Sequence, residues 1–178
     1  MKPLEFFLRS LCVPAPLRAT MPLKNLLLAI GVFFAIGSPS WAQSASDELL
    51  YRQLAVGGKE VALAALDRIV KAPEAVSATV LYSAVGAAVR EKRLEDAGFL
   101  YYIARFRAQF DKELFPPAAS GEDSPLPALG ALQQQWGGVI NPAIMANPKA
   151  FENVLARVRA WSPKVTADYH PGWEYSKR

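Results

Sequence analysis

"EKRLEDAGFLYYIARFRAQF", residues Glu91–Phe110, reads as one helix carrying five aromatic residues in its last twelve positions. At 100° per residue, Phe99, Tyr102, Ile103, Phe106 and Phe110 fall on one side and Ala97, Tyr101, Ala104 and Ala108 on the opposite side. Gly98, Arg105 and Gln109 lie on one edge between them, Leu100 and Arg107 on the other. A surface helix needs a single apolar stripe. Two stripes, one of large and one of small side chains, predict neighbours on both sides and therefore a central helix. The rings are then packing, and the edge residues Arg105, Arg107 and Gln109 are the candidates for meeting a partner. Their arginine stems can cover apolar surface while the heads reach water or an acidic group.

Working outward, the same periodicity recurs. Ser46-Asp47-Glu48 opens a helix with a capping side chain followed by acids suited to the positive end of its dipole. Gly57-Gly58 ends it, and a second helix runs from Lys59 to Lys71 before Pro73. A third, rich in alanine, is expected from about Glu74 to Lys92, with Val80, Leu81, Ala84, Val85, Ala88 and Val89 in one stripe. The quoted helix follows and extends to about Glu113. Leu114–Pro127 contains four prolines and reads as a loop. A fifth helix is expected from Ala128 to about Trp136, ended by Gly137-Gly138, and Asn141-Pro142 suggests a new start. Asn147-Pro148 is a cap with proline at the first helical position, opening a helix to Trp161. No strand alternation survives. The expected fold is all-α, five or six helices in a compact αα-hairpin bundle with an extended C-terminal tail.

The alanine-rich helix, its turn and the quoted helix together resemble a tetratricopeptide (TPR) or Sel1-like hairpin over residues 74–113. Ala97, Tyr101 and Ala104 match the small, aromatic and small positions of that unit's second helix. Gly86 is out of place by one residue, Lys92 stands where a turn glycine is usual, and the closing proline is absent until Pro116. The resemblance implies a binding scaffold, since such repeats usually hold partner segments and rarely catalyse.

Upstream, "MPLKNLLLAIGVFFAIGSPSWAQSAS" from Met21 has the parts of a cleaved secretory signal. Lys24 is its positive end, Leu26–Gly37 its apolar run and Ser40-Trp41-Ala42 its small-residue site. Cleavage is expected between Ala42 and Gln43. Twelve apolar residues fall short of the roughly 20 that span a bilayer, so no stable membrane insertion is expected afterwards. Residues 1–20 resemble neither a signal nor a domain, and a start codon assigned too early explains them, with Met21 as initiator. The chain divides into a leader (1–42), a helical domain (43–161) and an extended aromatic tail (162–178). The leader's Lys2, Arg9, Arg18 and Lys24 against Glu5 account for most of the net charge of +4. The 136 residues beyond it hold 16 basic and 15 acidic side chains. That near-balance lacks the concentrated basic footprint that nucleic-acid binding requires. The only cysteine, Cys12, lies in the leader, so thiolate and zinc–cysteine chemistry are not expected beyond it.

Catalytic residues, metal ligands and cofactors are none on this reading. His170 is the only histidine, and no Gly-x-Ser-x-Gly elbow accompanies it. Glu91, Glu95, Asp96, Asp111 and Glu113 cluster at the ends of one helix, where solvation and the dipole account for them. The tail sequence "DYHPGWEY" sets Tyr169, Trp173 and Tyr175 beside proline and glycine. Rigid aromatics of this kind suit a binding surface or a strap over the helical core. The expectation is a non-enzymatic, exported scaffold of the bacterial periplasm that binds another protein. One concrete form is an immunity-type inhibitor of a secreted toxic effector, another an assembly subunit of an envelope complex. The alternative is a small periplasmic hydrolase using the acids or His170.

Overall fold

The computed structural model describes residues 45–176; the signal and start-codon expectations lie outside them. The described residues form six α-helices and no strand. They are α1 (Ala45–Val56), α2 (Lys59–Lys71), α3 (Ala78–Arg90), α4 (Leu94–Leu114), α5 (Pro125–Met145) and α6 (Pro148–Ala160), with short 3-10 turns at Pro73–Ala75 and Gly121–Asp123. The fold is therefore all-α.

Helix α4 is the hub, packed against α3, α5 and α6, as its two apolar faces require. Its most deeply buried line is Ala97, Leu100, Ala104, Arg107 and Asp111, all fully buried. The aromatic side is buried at Phe99, Tyr102 and Ile103 but only half-buried at Phe106 and Phe110. The α3–α4 connection is tight, with the Arg93 amide donating to the Ala88 carbonyl at 2.9 Å. Lys92 in that turn is left-handed at φ 58°, a conformation that costs a non-glycine residue on the order of 1 kcal/mol.

Several boundaries differ from the sequence expectation: α1 already includes Ser46, read as its cap, and α4 starts at Leu94 and not at Glu91. α3 starts at Ala78, because Pro73 begins a separate 3-10 turn and Ser77 sits extended as the N-cap. α5 starts at Pro125, where the Ser124 hydroxyl accepts from the Leu126 amide and proline takes the first turn. It also runs unbroken through Gly137-Gly138 and Pro142. Gly137 is a close-approach position: a Cβ there would lie 2.6 Å from the Tyr101 hydroxyl of α4. Tertiary contact outweighs the breakers, and Asn141, expected to cap a new helix, instead accepts a hydrogen bond from the Tyr102 hydroxyl at 3.1 Å. Asn147 does cap α6, accepting from the Ala150 amide at 3.1 Å.

Candidate functional site

The chemistry-bearing side chains converge where the tail meets α4. Among the described residues beyond Trp161 there is no helix, and the segment is tied down at successive points. The Lys164 amide donates to the Glu74 carbonyl at 2.8 Å. Farther along, Ala118 donates to Glu174 and Ser176 to Pro116, making an antiparallel bridge with the proline-rich loop. The Trp173 indole is buried and donates to the Phe115 carbonyl at 2.9 Å. The Phe115 ring meets Tyr169 and, edge-on, Tyr175.

Arg107 holds this arrangement from below. Expected at an exposed edge, it is 0 % exposed. Its Nη1 donates to the carbonyls of Glu74 and Lys164, both at 2.9 Å. Its Nε donates to the Tyr169 hydroxyl at 2.8 Å and to Asp111 Oδ2 at 3.1 Å. The Tyr169 ring lies 3.7 Å from the guanidinium carbon, and its hydroxyl donates to Asp111. One guanidinium thus joins α4, the turn before α3 and the tail. Its Nη2 has no hydrogen-bond partner among the described residues.

Asp47, read from sequence as an acid suited to the dipole at the start of α1, is buried. Its carboxylate accepts from the Ser77 amide at 3.1 Å, so its charge sits at the N-terminus of α3, where the dipole favours it. Burial nonetheless raises its pKa, against the Ser77 hydrogen bonds and the charges of Arg107 and His170. Burial likewise pushes the Asp111 carboxyl up to about 6. That desolvation outweighs the pull of Arg107 and the hydrogen bond from Tyr169, and the Asp47 charge adds to it. Tyr169 is raised too, by burial first and by the Asp111 charge second.

The residues singled out from sequence therefore separate into two groups. Arg107, Tyr169 and Trp173 come together, but inside, fastening the tail where a partner contact was expected. Arg105 is half-buried near the Tyr101 ring, Gln109 is exposed and donates to Glu113, and Tyr175 is half-buried against Phe115 and His170. His170 is half-buried, its Nδ1 accepting from the Gly172 amide. Of the acids weighed for hydrolysis, Asp111 lies in this cluster, whereas Asp96 pairs with Arg93 and Arg157 and Glu95 accepts from Asn153. Sequence reasoning missed Asp47 and Asp111 as members of the cluster. The spacing 97, 100, 104, 107, 111 was a legible signal for Asp111, since it continues one line of the helix by steps of three and four. Nothing local marks Asp47, whose partner Ser77 is 30 residues away.

A cleft of about 380 Å³ lies between α1, α2 and α3, with Leu54, Leu63 and Leu66 among its lining residues. Its charged rim is already engaged, with Arg90 donating to the Leu54 carbonyl and Lys59 3.7 Å from Glu91. Beside it, the first hairpin exposes Leu49, Val61 and above all Val56, which is 81 % exposed. Among the described residues no three His, Cys, Asp or Glu side chains group as a metal site would require, and no helix is long and apolar enough to cross a membrane. No family model, curated protein or solved structure matches the chain.

Proposed function

We propose that this chain is a non-enzymatic scaffold, exported to the bacterial periplasm, that binds another protein. The observation carrying the reading is the first hairpin's outer surface. Leu49 and Val56 lie two turns apart on one face of α1, with Val61 close beyond the Gly57-Gly58 turn, and all three are exposed. Exposed apolar side chains on this one hairpin suit an interface. The hairpin resemblance supports the same reading, because Ala97, Tyr101 and Ala104 are buried in α4, the hub of the bundle. An immunity-type inhibitor of a secreted effector and an envelope assembly subunit are the concrete forms it takes.

Affinity capture from a periplasmic fraction tests the proposal. The tagged exported chain should recover one partner in near-stoichiometric amount. Val56→Asp, on a side chain that the fold leaves in solvent, should lower that recovery by roughly tenfold or more. Failure to recover any partner would overturn the reading. So would undiminished recovery with Val56→Asp, or a hydrolytic activity abolished by Glu95→Ala, Asp96→Ala or His170→Ala in a folded protein.

A further inference from the structure

The groups able to carry charge at the tail's anchoring point are Asp47 from α1, Arg107 and Asp111 from α4, and Tyr169 and His170 from the tail itself. The N-terminus of α3 contributes only the Ser77 amide and hydroxyl, and Glu74 and Lys164 contribute backbone carbonyls. In the buried part, two carboxylates face one guanidinium, and half of that guanidinium's hydrogen bonding is spent on carbonyls. With both acids ionised the closed cluster holds an excess negative charge out of water, which is expensive unless it is neutralised. His170, half-buried, stands at the rim of this cluster.

We propose that the cluster makes the tail a proton-operated strap, closed over the bundle end in mildly acidic surroundings and loosened as they turn neutral or alkaline. Releasing the tail removes Tyr169 and the Lys164 carbonyl from Arg107 and admits water to Asp111. The carboxyl can then ionise at its ordinary value near 4, whereas in the closed state it holds its proton up to about pH 6. Between those values the closed state binds more protons than the open one. Docking is therefore strongest at and below the ordinary carboxyl value, weakens as pH rises through this window, and is level above it. Asp47 biases the proton toward Asp111, because its own charge is held by the Ser77 amide at the α3 N-terminus. An exported protein meets external pH directly, so such a strap would couple the exposure of this end to the medium.

Hydrogen exchange, corrected for intrinsic rates, reads the strap through the anchoring amides of Lys164, Ala118 and Ser176, with Ile103 in α4 as the core reference. Their protection should fall roughly tenfold between pH 5 and pH 7.5 while that of Ile103 stays level. Asp111→Asn should abolish the pH dependence. Asp47→Asn, which removes the second negative charge, should reduce it measurably and serves if Asp111→Asn fails to fold. His170→Gln, which removes only the weakest of the charges acting on Asp47, should leave most of it. Strap amides that track Ile103 at both pH values would overturn the proposal. Persistence of the full change in either aspartate variant would also overturn it, as would its loss in His170→Gln.

Discussion

Arg107 shows how much one side chain can organise. Its buried guanidinium is committed to the carbonyls of Glu74 and Lys164, to the Tyr169 hydroxyl and to Asp111. Removing it leaves Asp111 buried beside Tyr169 without its cation, and breaking a buried pair in this way costs about 3–5 kcal/mol. Arg107→Ala should lower unfolding stability by that amount in urea titrations at pH 7.5. The double variant Arg107→Ala, Asp111→Asn should recover part of the loss, since no carboxylate is then stranded. A cycle in which the two losses simply add would show that the pair is not coupled. On a helical wheel Arg107 shares its edge with Leu100, and both turn out to be fully buried. Its burial was not legible, because solvent exposure of an edge depends on what the tail, some 60 residues later, does with it.

At the scale of the element, α5 carries the clearest lesson. Gly137-Gly138 looks like a stop, yet the two glycines have different environments. A Cβ on Gly137 would meet the Tyr101 hydroxyl at 2.6 Å, while at Gly138 nothing lies within 4 Å. Gly137→Ala should destabilise by about 1–3 kcal/mol, the usual cost of overpacking a tight contact. Gly138→Ala should stabilise by about 0.5–1 kcal/mol through helix propensity. Chemical denaturation of both variants checks the pair, and equal effects would mean that propensity, not contact, governs this segment. By contrast α2 and α6 were legible almost to the residue. α2 carries its own apolar period from Lys59 to Lys71, and α6 carries its own cap at Asn147 with proline following. Where start and stop signals are local, sequence suffices; where a helix continues because a neighbour occupies the groove left by glycine, it does not.

At the scale of the molecule, the tail completes the bundle end. Trp173 is buried and bonded to the Phe115 carbonyl, and Tyr169 closes over Arg107. Trp173→Ala should cost about 3–5 kcal/mol, as truncation of buried aromatics does. The variant should also raise proteolytic cleavage beyond Trp161 while α4 remains protected. Destabilisation below 1 kcal/mol, with the tail still protected, would mean that the indole is not part of the core. This prediction and the pH dependence of the strap are separable, since Trp173 is anchored through a backbone carbonyl that does not titrate.

The sequence by itself determined the class of the fold, the central place of Glu91–Phe110 and the lack of helical period in the tail. Each follows from periodicity, caps and breakers that act within a few residues. Only the tertiary structure decided that α5 is continuous, that Asp47 reaches the start of α3, and that Arg107, Asp111 and Tyr169 form one buried clasp. Those outcomes depend on burial and on charge pairing between segments distant in the chain. Desolvation is a property of the assembled interior, and no local pattern of residues encodes it.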